Sequence, residues 1–160
     1  MPPGRRTRKS SRPIAGSRRG PVAVRFLLDT NVLSEPLKPA PNPGIQGNLI
    51  RFAGEIAIAA PVWHEALFGL ERMPTSRRRR ALEAYLHDFV RIRMPILAYD
   101  AAAAEWHAAE RARLTRVGRV TPYTDSQIAA IAVTNGLELV TINHQDFRGF
   151  HDLKLVDWRT

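Results

Sequence analysis

Four acidic residues, Asp29, Glu65, Asp125 and Asp146, have the types and spacing to do chemistry. They lie far apart in the chain, yet each falls where an apolar strand or helix begins or ends. Asp29 closes the run RFLLD, and Glu65 follows EIAIA by a few residues. Asp125 opens DSQIAAIAV, and Asp146 follows LELVTI. A parallel α/β sheet would gather all four at the carboxyl edge of its strands, where such sheets build their sites. Packed carboxylates repel one another and raise each other's pKa. A divalent cation offsets that repulsion, which points to metal-dependent chemistry on phosphodiesters.

Each acid also has a plainer role. Asp29 could cap the helix that follows it. Glu65 could be a solvent-facing acid near a positive helix end, with Glu71 the other acid on that helix and His64 a neighbouring donor. Asp125 could cap its own helix or sit in its first turn, and Thr124 could take the cap instead. Asp146 could cap a turn. Taken together, the four favour a metal site. One Mg²⁺ or Mn²⁺ is expected between Asp29 and Asp125, with Asp146 bound directly or through water. Glu65 would help hold a second ion or orient the attacking water. Thr30 and Asn31 are expected to fix carboxylate rotamers from behind. Thr141 and Asn143 alternate along a strand end and are expected to address the same place.

An acidic cluster needs a basic rim, or nucleic acid would be repelled. Arg77, Arg78, Arg79 and Arg80 offer one, with Arg72, Arg113, Arg116 and Arg119 elsewhere. Such side chains hold backbone phosphates without reading bases. Tyr123 could stack on a nucleobase. A solvated helix face is the plainer account of any single arginine.

The elements that must position these residues alternate. Val22 to Leu28 reads as a buried strand, followed by the turn DTN and a short helix ending before Pro36. Residues 38–44 form a proline-rich connection, and a helix is expected over 45–52. Glu55 to Ala59 is a second strand, and Pro61 suits the first turn of a helix reaching Arg72. Ser76 opens a longer helix whose expected buried stripe is Leu82, Tyr85, Leu86 and Phe89. Pro95 closes that region. Asp100 caps a helix to about Val117, with Trp106, Ala109 and Leu114 facing the core. The Asp125 helix places Ile128, Ala129, Ala132 and Val133 inward and stops at Asn135-Gly136. Leu137 to Ile142 and Leu153 to Val156 are the remaining strands. This alternation predicts a three-layer α/β/α sandwich on a mostly parallel sheet.

The 160 residues suffice for one domain. The absence of cysteine excludes disulfides, thiolate zinc sites and cysteine nucleophiles. The formal charge is +9, of which Arg5, Arg6, Arg8, Lys9, Arg12, Arg18 and Arg19 supply seven, leaving +2 for residues 21–160. Residues 1–20 are therefore expected to be a disordered basic tail, and 21–160 the folded domain. The tail could hold RNA, DNA or an acidic partner, or merely aid solubility. No apolar run approaches the ~20 residues of a membrane span. The tail lacks the apolar stretch of a secretory signal. A cytoplasmic protein with no membrane partner is expected.

The segments FLLDTNVLSE, PVWHEALFGLER and PYTDSQIAAIAVTNGLELVTINHQDFRGF, with the ending LKLVDW, resemble in order those of PIN-domain ribonucleases. The likeness is to the VapC-like toxins of bacterial type II toxin–antitoxin modules, and covers roughly residues 24–158. It departs at Trp63-His64, where the family favours a hydroxyl residue and small apolar residues. The resemblance implies a PIN-like fold and a Mg²⁺- or Mn²⁺-dependent endoribonuclease that inhibits translation. It implies a homodimer silenced by a cognate VapB-like antitoxin, in a heterotetramer or larger assembly. Operator DNA would be bound through the antitoxin. Two other readings share many of these residues: a non-catalytic RNA-binding or regulatory protein that retains the fold, and a structure-specific DNA nuclease. A receiver-like or phosphatase protein fits the acid spacing poorly.

Overall fold

The first apolar run becomes β1 (Phe26–Leu28), with all three residues buried. A strand apolar on both faces belongs in the middle of a parallel sheet covered on both sides. β1 pairs in parallel with β2 (Ile56–Ala59) on one side and β4 (Glu138–Val140) on the other. β3 (Ile96–Leu97) adds to β2, and β5 (Lys154–Val156) adds to β4. The computed structural model describes residues 23–160, and among these the sheet is wholly parallel in the order β3-β2-β1-β4-β5. The expected tail over residues 1–20 lies outside the described residues.

Helices cover the sheet as the three-layer α/β/α arrangement requires. α1 (Thr30–Leu33) follows β1 directly, and a 3₁₀ turn over Glu35–Leu37 takes Pro36 into its first positions. α2 (Pro43–Arg51) begins two residues earlier than expected. Asn42 caps it by accepting from the Gly44 and Ile45 amides at 2.9 and 3.1 Å, and Pro43 sits where its missing N–H costs nothing. α3 (Ala60–Glu71) starts immediately after β2. α6 (Ala101–Arg116) is capped by Asp100, whose side chain accepts from the Ala103 amide at 3.0 Å. α7 (Tyr123–Thr134) precedes β4, and α8 (His144–Phe147) follows it.

Three expectations need correction. β3 was not anticipated; two half-buried residues after a proline carry no periodicity to read. Ser76 does cap α4 (Arg77–Ala84), but the helix then widens into a π turn over Tyr85–Val90 before α5 (Arg91–Arg93). A π turn shifts the inward face, so Leu86 and Val90 are buried while Phe89 is 42% exposed. On α6 the buried face is Ala103, His107, Glu110 and Leu114, and Ala109 is exposed. The spacing there is helical, but two of the inward residues are polar and hide the stripe.

The sheet order reverses at β1 and β4, which is the switch point of a doubly wound sheet. The carboxyl ends of those two strands carry Asp29 and Thr141. At the opposite end, Trp158 packs edge-on to Phe26 and stacks with Phe52. Trp158 thus packs against the residue that ends α2, while its carbonyl lies close to Gly44 in the first turn of that helix.

Candidate active site

Asp29 is the centre of the site and only 7% exposed. As the N-cap of α1 it accepts from the Thr30 amide at 2.8 Å. Its other oxygen accepts from Thr141 Oγ1 at 2.8 Å and from Asn31 Nδ2 at 3.2 Å. The capping role and the site role are thus combined in one residue. Thr141 Oγ1 in turn accepts from the Asn143 amide at 3.0 Å. Asn31 Oδ1 accepts from the Ile142 amide at 3.5 Å. The end of β1 and the end of β4 are therefore joined through side chains at the switch point. Thr30, Asn31 and Thr141 touch the Asp29 carboxylate directly or through its adjoining amide. Asn143 reaches it by its backbone, not its side chain.

Glu65 lies on the exposed side of α3 and accepts from Thr30 Oγ1 at 2.7 Å. Asp125 is half-buried in the first turn of α7. The helix begins after Pro122, so neither Asp125 nor Thr124 is its cap. Asp146 is an exposed residue of α8, whose amide donates to the Asn143 carbonyl at 3.1 Å.

Electrostatics ties the four together. Burial, joined by the charges of Asp29, Asp146 and Glu65, pushes the Asp125 carboxyl up to about 6. Burial also raises Asp29, with Glu65 adding to it, against the bonds from Thr141, Thr30 and Asn31. Like charges crowd here, and among the described residues no basic group offsets them at Asp29 or Asp125. Among the described residues, however, no three acidic, histidine or cysteine side chains close into a metal-holding group. Glu65 turns one oxygen onto Thr30, and both oxygens of Asp29 accept from Thr30, Asn31 and Thr141. In kind, the donors fit a hard divalent cation: all are carboxylate oxygens, held at a point of unrelieved negative charge.

The expected basic rim divides. Arg77, Arg78 and Arg80 are exposed. Arg79 Nη1 instead donates to the Leu70 and Met73 carbonyls at 2.7 and 2.6 Å, and its other nitrogen pairs with Glu71 at 3.6 Å. It closes the carboxyl end of α3. Arg119 Nη2 donates to the Arg148 carbonyl at 2.5 Å. Tyr123 is 53% exposed, with the Arg111 guanidinium 5.5 Å from its ring centre. Trp63 meets His87 edge-on, and His64 stacks on Phe68. Sequence reading passed over Glu110, a buried acid on α6. It looked like one of several charges on a helix, and its only sequence signal is Arg113 three positions on.

A parallel 3-2-1-4-5 sheet with acids at its switch point defines a class, and the profile of the PIN domain matches residues 26–152. The chain is 32% identical over 135 residues to the tRNA(fMet)-specific endonuclease VapC of Shigella flexneri, covering 84% of this chain and 98% of that one. The solved structure of DNA-bound VapBC from Salmonella typhimurium is 28% identical with a TM-score of 0.74, covering 84% of this chain and 98% of that one. That of FitAcB from Neisseria gonorrhoeae is 26% identical with a TM-score of 0.75, covering 81% and 95%. The chain belongs to the PIN-domain family, in its VapC-like group, as the order of its motif segments led one to expect.

Proposed function

We propose that the protein is a Mg²⁺- or Mn²⁺-dependent endoribonuclease, the toxin of a toxin–antitoxin pair that inhibits translation in the cytoplasm. The observation that carries this reading is the Asp125 carboxyl, pushed up to about 6 by burial and by three other acids from three other segments. Structural acids are normally relieved by a partner, and an acid raised by burial and by like charges supports the reading of a functional site. The relatives support the substrate class, since the Shigella protein is named an endonuclease of tRNA(fMet).

Asp29, Asp125 and Asp146 would hold the ion, with Glu65 beside them. A cation held there would lower the pKa of a bound water and offset negative charge on the phosphate. The protein's own part is preorganisation. Thr141, Asn31 and the Thr30 amide fix the Asp29 carboxylate in one rotamer. Thr30 Oγ1 holds Glu65 aside, where it can orient water or take a proton. Arg77, Arg78 and Arg80 would bind the RNA backbone, with Tyr123 stacking on a base and Arg119 contributing through its free face.

The partner would be a VapB-like antitoxin, with operator DNA bound through it and the toxin paired as a homodimer within a heterotetramer or larger assembly. The Salmonella structure is of VapBC bound to DNA. A groove of 790 Å³ between α2 and the π turn supports such a docking partner. Leu49, Ile50, Tyr85, Phe89 and Met94 line it, an apolar surface suited to an amphipathic helix.

The test is RNA turnover by Asp29→Asn and Asp125→Asn. Both should fold and lose at least on the order of a hundredfold in rate. Turnover equal to wild type by both well-folded variants would sink the site. RNA binding that persists in a wild type with no turnover under any metal would favour the non-catalytic reading.

A further inference from the structure

Asp146 has the least support of the four acids. It is exposed, and among the described residues its carboxylate accepts no hydrogen bond. α8 has only four residues, too short to fix its own orientation. Whatever aims Asp146 must therefore act on the two ends of α8. Its start is tied to Asp29, because Thr141 Oγ1 donates to Asp29 and accepts from the Asn143 amide.

Its end is tied to α6. Glu110 is 5% exposed, and one of its oxygens accepts from the His151 amide at 2.7 Å. Arg113 grips the same carboxylate through Nε at 2.9 Å and Nη2 at 2.5 Å, a bidentate pair. Arg113 Nη2 also donates to the Gly149 carbonyl at 2.6 Å. Arg119 takes the neighbouring Arg148 carbonyl at 2.5 Å and lies against Gly149, whose φ of +90° is a backbone conformation that disfavours a side chain. Phe147, just before this turn, and Phe150, within it, are both buried. Residues 148–151 are thus fastened to α6 through two backbone groups, the His151 amide and the Gly149 carbonyl, and through a third, the Arg148 carbonyl, to Arg119 just beyond that helix. A buried acid is costly unless its partners satisfy it, and here the partners are the Arg113 guanidinium and the His151 amide in the turn that follows Asp146.

We infer that Glu110 and Arg113 are positioning residues for Asp146, aiming its carboxylate at Asp29 and Asp125 by clamping residues 148–151 to α6. This rests on the proposed function, in which Asp146 serves the reaction. The pair touches neither substrate nor the other acids; it acts only through the turn.

A double-mutant cycle on the full chain tests it. Metal-dependent RNA cleavage is measured for wild type, Arg113→Ala, Asp146→Ala and the double variant, with circular dichroism and melting recorded for each. Arg113→Gln keeps the aliphatic stem and stands in should the alanine variant not fold. Arg113→Ala should lower kcat on the order of tenfold with little change in KM, as lost outer support does at metal sites. In the Asp146→Ala background the same change should cost less than about twofold, because there is nothing left to aim. A loss just as large in that background would show a general structural effect and overturn the clamp, as would a normal kcat in Arg113→Ala. Full activity in Asp146→Ala would instead strike the underlying reading of the site, and the clamp with it.

Discussion

Asp125 titrates where the ordinary carboxyl does not, and that gives the site a signature in stability. Its folded pKa of about 6 lies above the ordinary 3.8. A raised acid contributes stability that is present below the unfolded value and lost as pH rises through the folded one. The metal-free protein should therefore lose stability between about pH 4 and pH 6. Asp125→Asn should reduce this dependence, with the raised Asp29 keeping part of it, and raise metal-free stability at pH 7 on the order of 1–2 kcal/mol, discounted for solvent screening. Melting curves across that range, in chelator, read it directly. A pH profile identical in wild type and Asp125→Asn would show that the like charges do not couple. Divalent metal should flatten the wild-type profile, since a cation that binds only the folded state offsets the repulsion.

Elements explain why four neighbouring arginines are not alike. Arg79 supplies the carboxyl end of α3 with donors for the Leu70 and Met73 carbonyls. Arg79→Ala should cost about 1–2 kcal/mol in denaturant unfolding, since these bonds are charge-assisted and partly buried. Arg77→Ala, Arg78→Ala and Arg80→Ala should leave stability within about 0.5 kcal/mol and lower the salt slope of RNA binding instead. The opposite pattern would exchange the two roles. At the other end of the fold, a Cβ on Gly44 would meet the Trp158 carbonyl at 2.6 Å. Gly44→Ala should destabilise by about 1–3 kcal/mol, as overpacking against backbone does; unchanged unfolding would deny the close approach. Elements also show what could be read in advance. β1, β2 and β4 were legible because their residues are apolar without interruption, and a parallel sheet then brings the four acids to one edge. β3 was not legible, because two half-buried residues after a proline are too few to show a period. The burial of Phe89 failed at the π turn, and the inward face of α6 was hidden by His107 and Glu110. Sequence shows which residues are apolar; it does not show which polar ones have found partners.

At the scale of the molecule, the parallel sheet makes the site by convergence. No pair of the four acids shares a segment, and only the crossover order β3-β2-β1-β4-β5 puts the ends of β1 and β4 side by side. The basic character is concentrated outside this frame, in the seven cationic residues of 1–20. Removing those residues should weaken RNA binding mainly at low salt and reduce the salt slope, leaving metal dependence unchanged; equal slopes with and without them would assign the affinity to the folded part. The most direct test of the central claim is cleavage of total cellular RNA by the full chain in Mn²⁺ or Mg²⁺. An EDTA control and Asp29→Asn would run beside it, with fragment ends sequenced. The account predicts discrete cuts that vanish in both controls. Cuts that survive in Asp29→Asn or in EDTA would contradict it, as would intact RNA in the presence of metal and a folded wild type freed of any antitoxin.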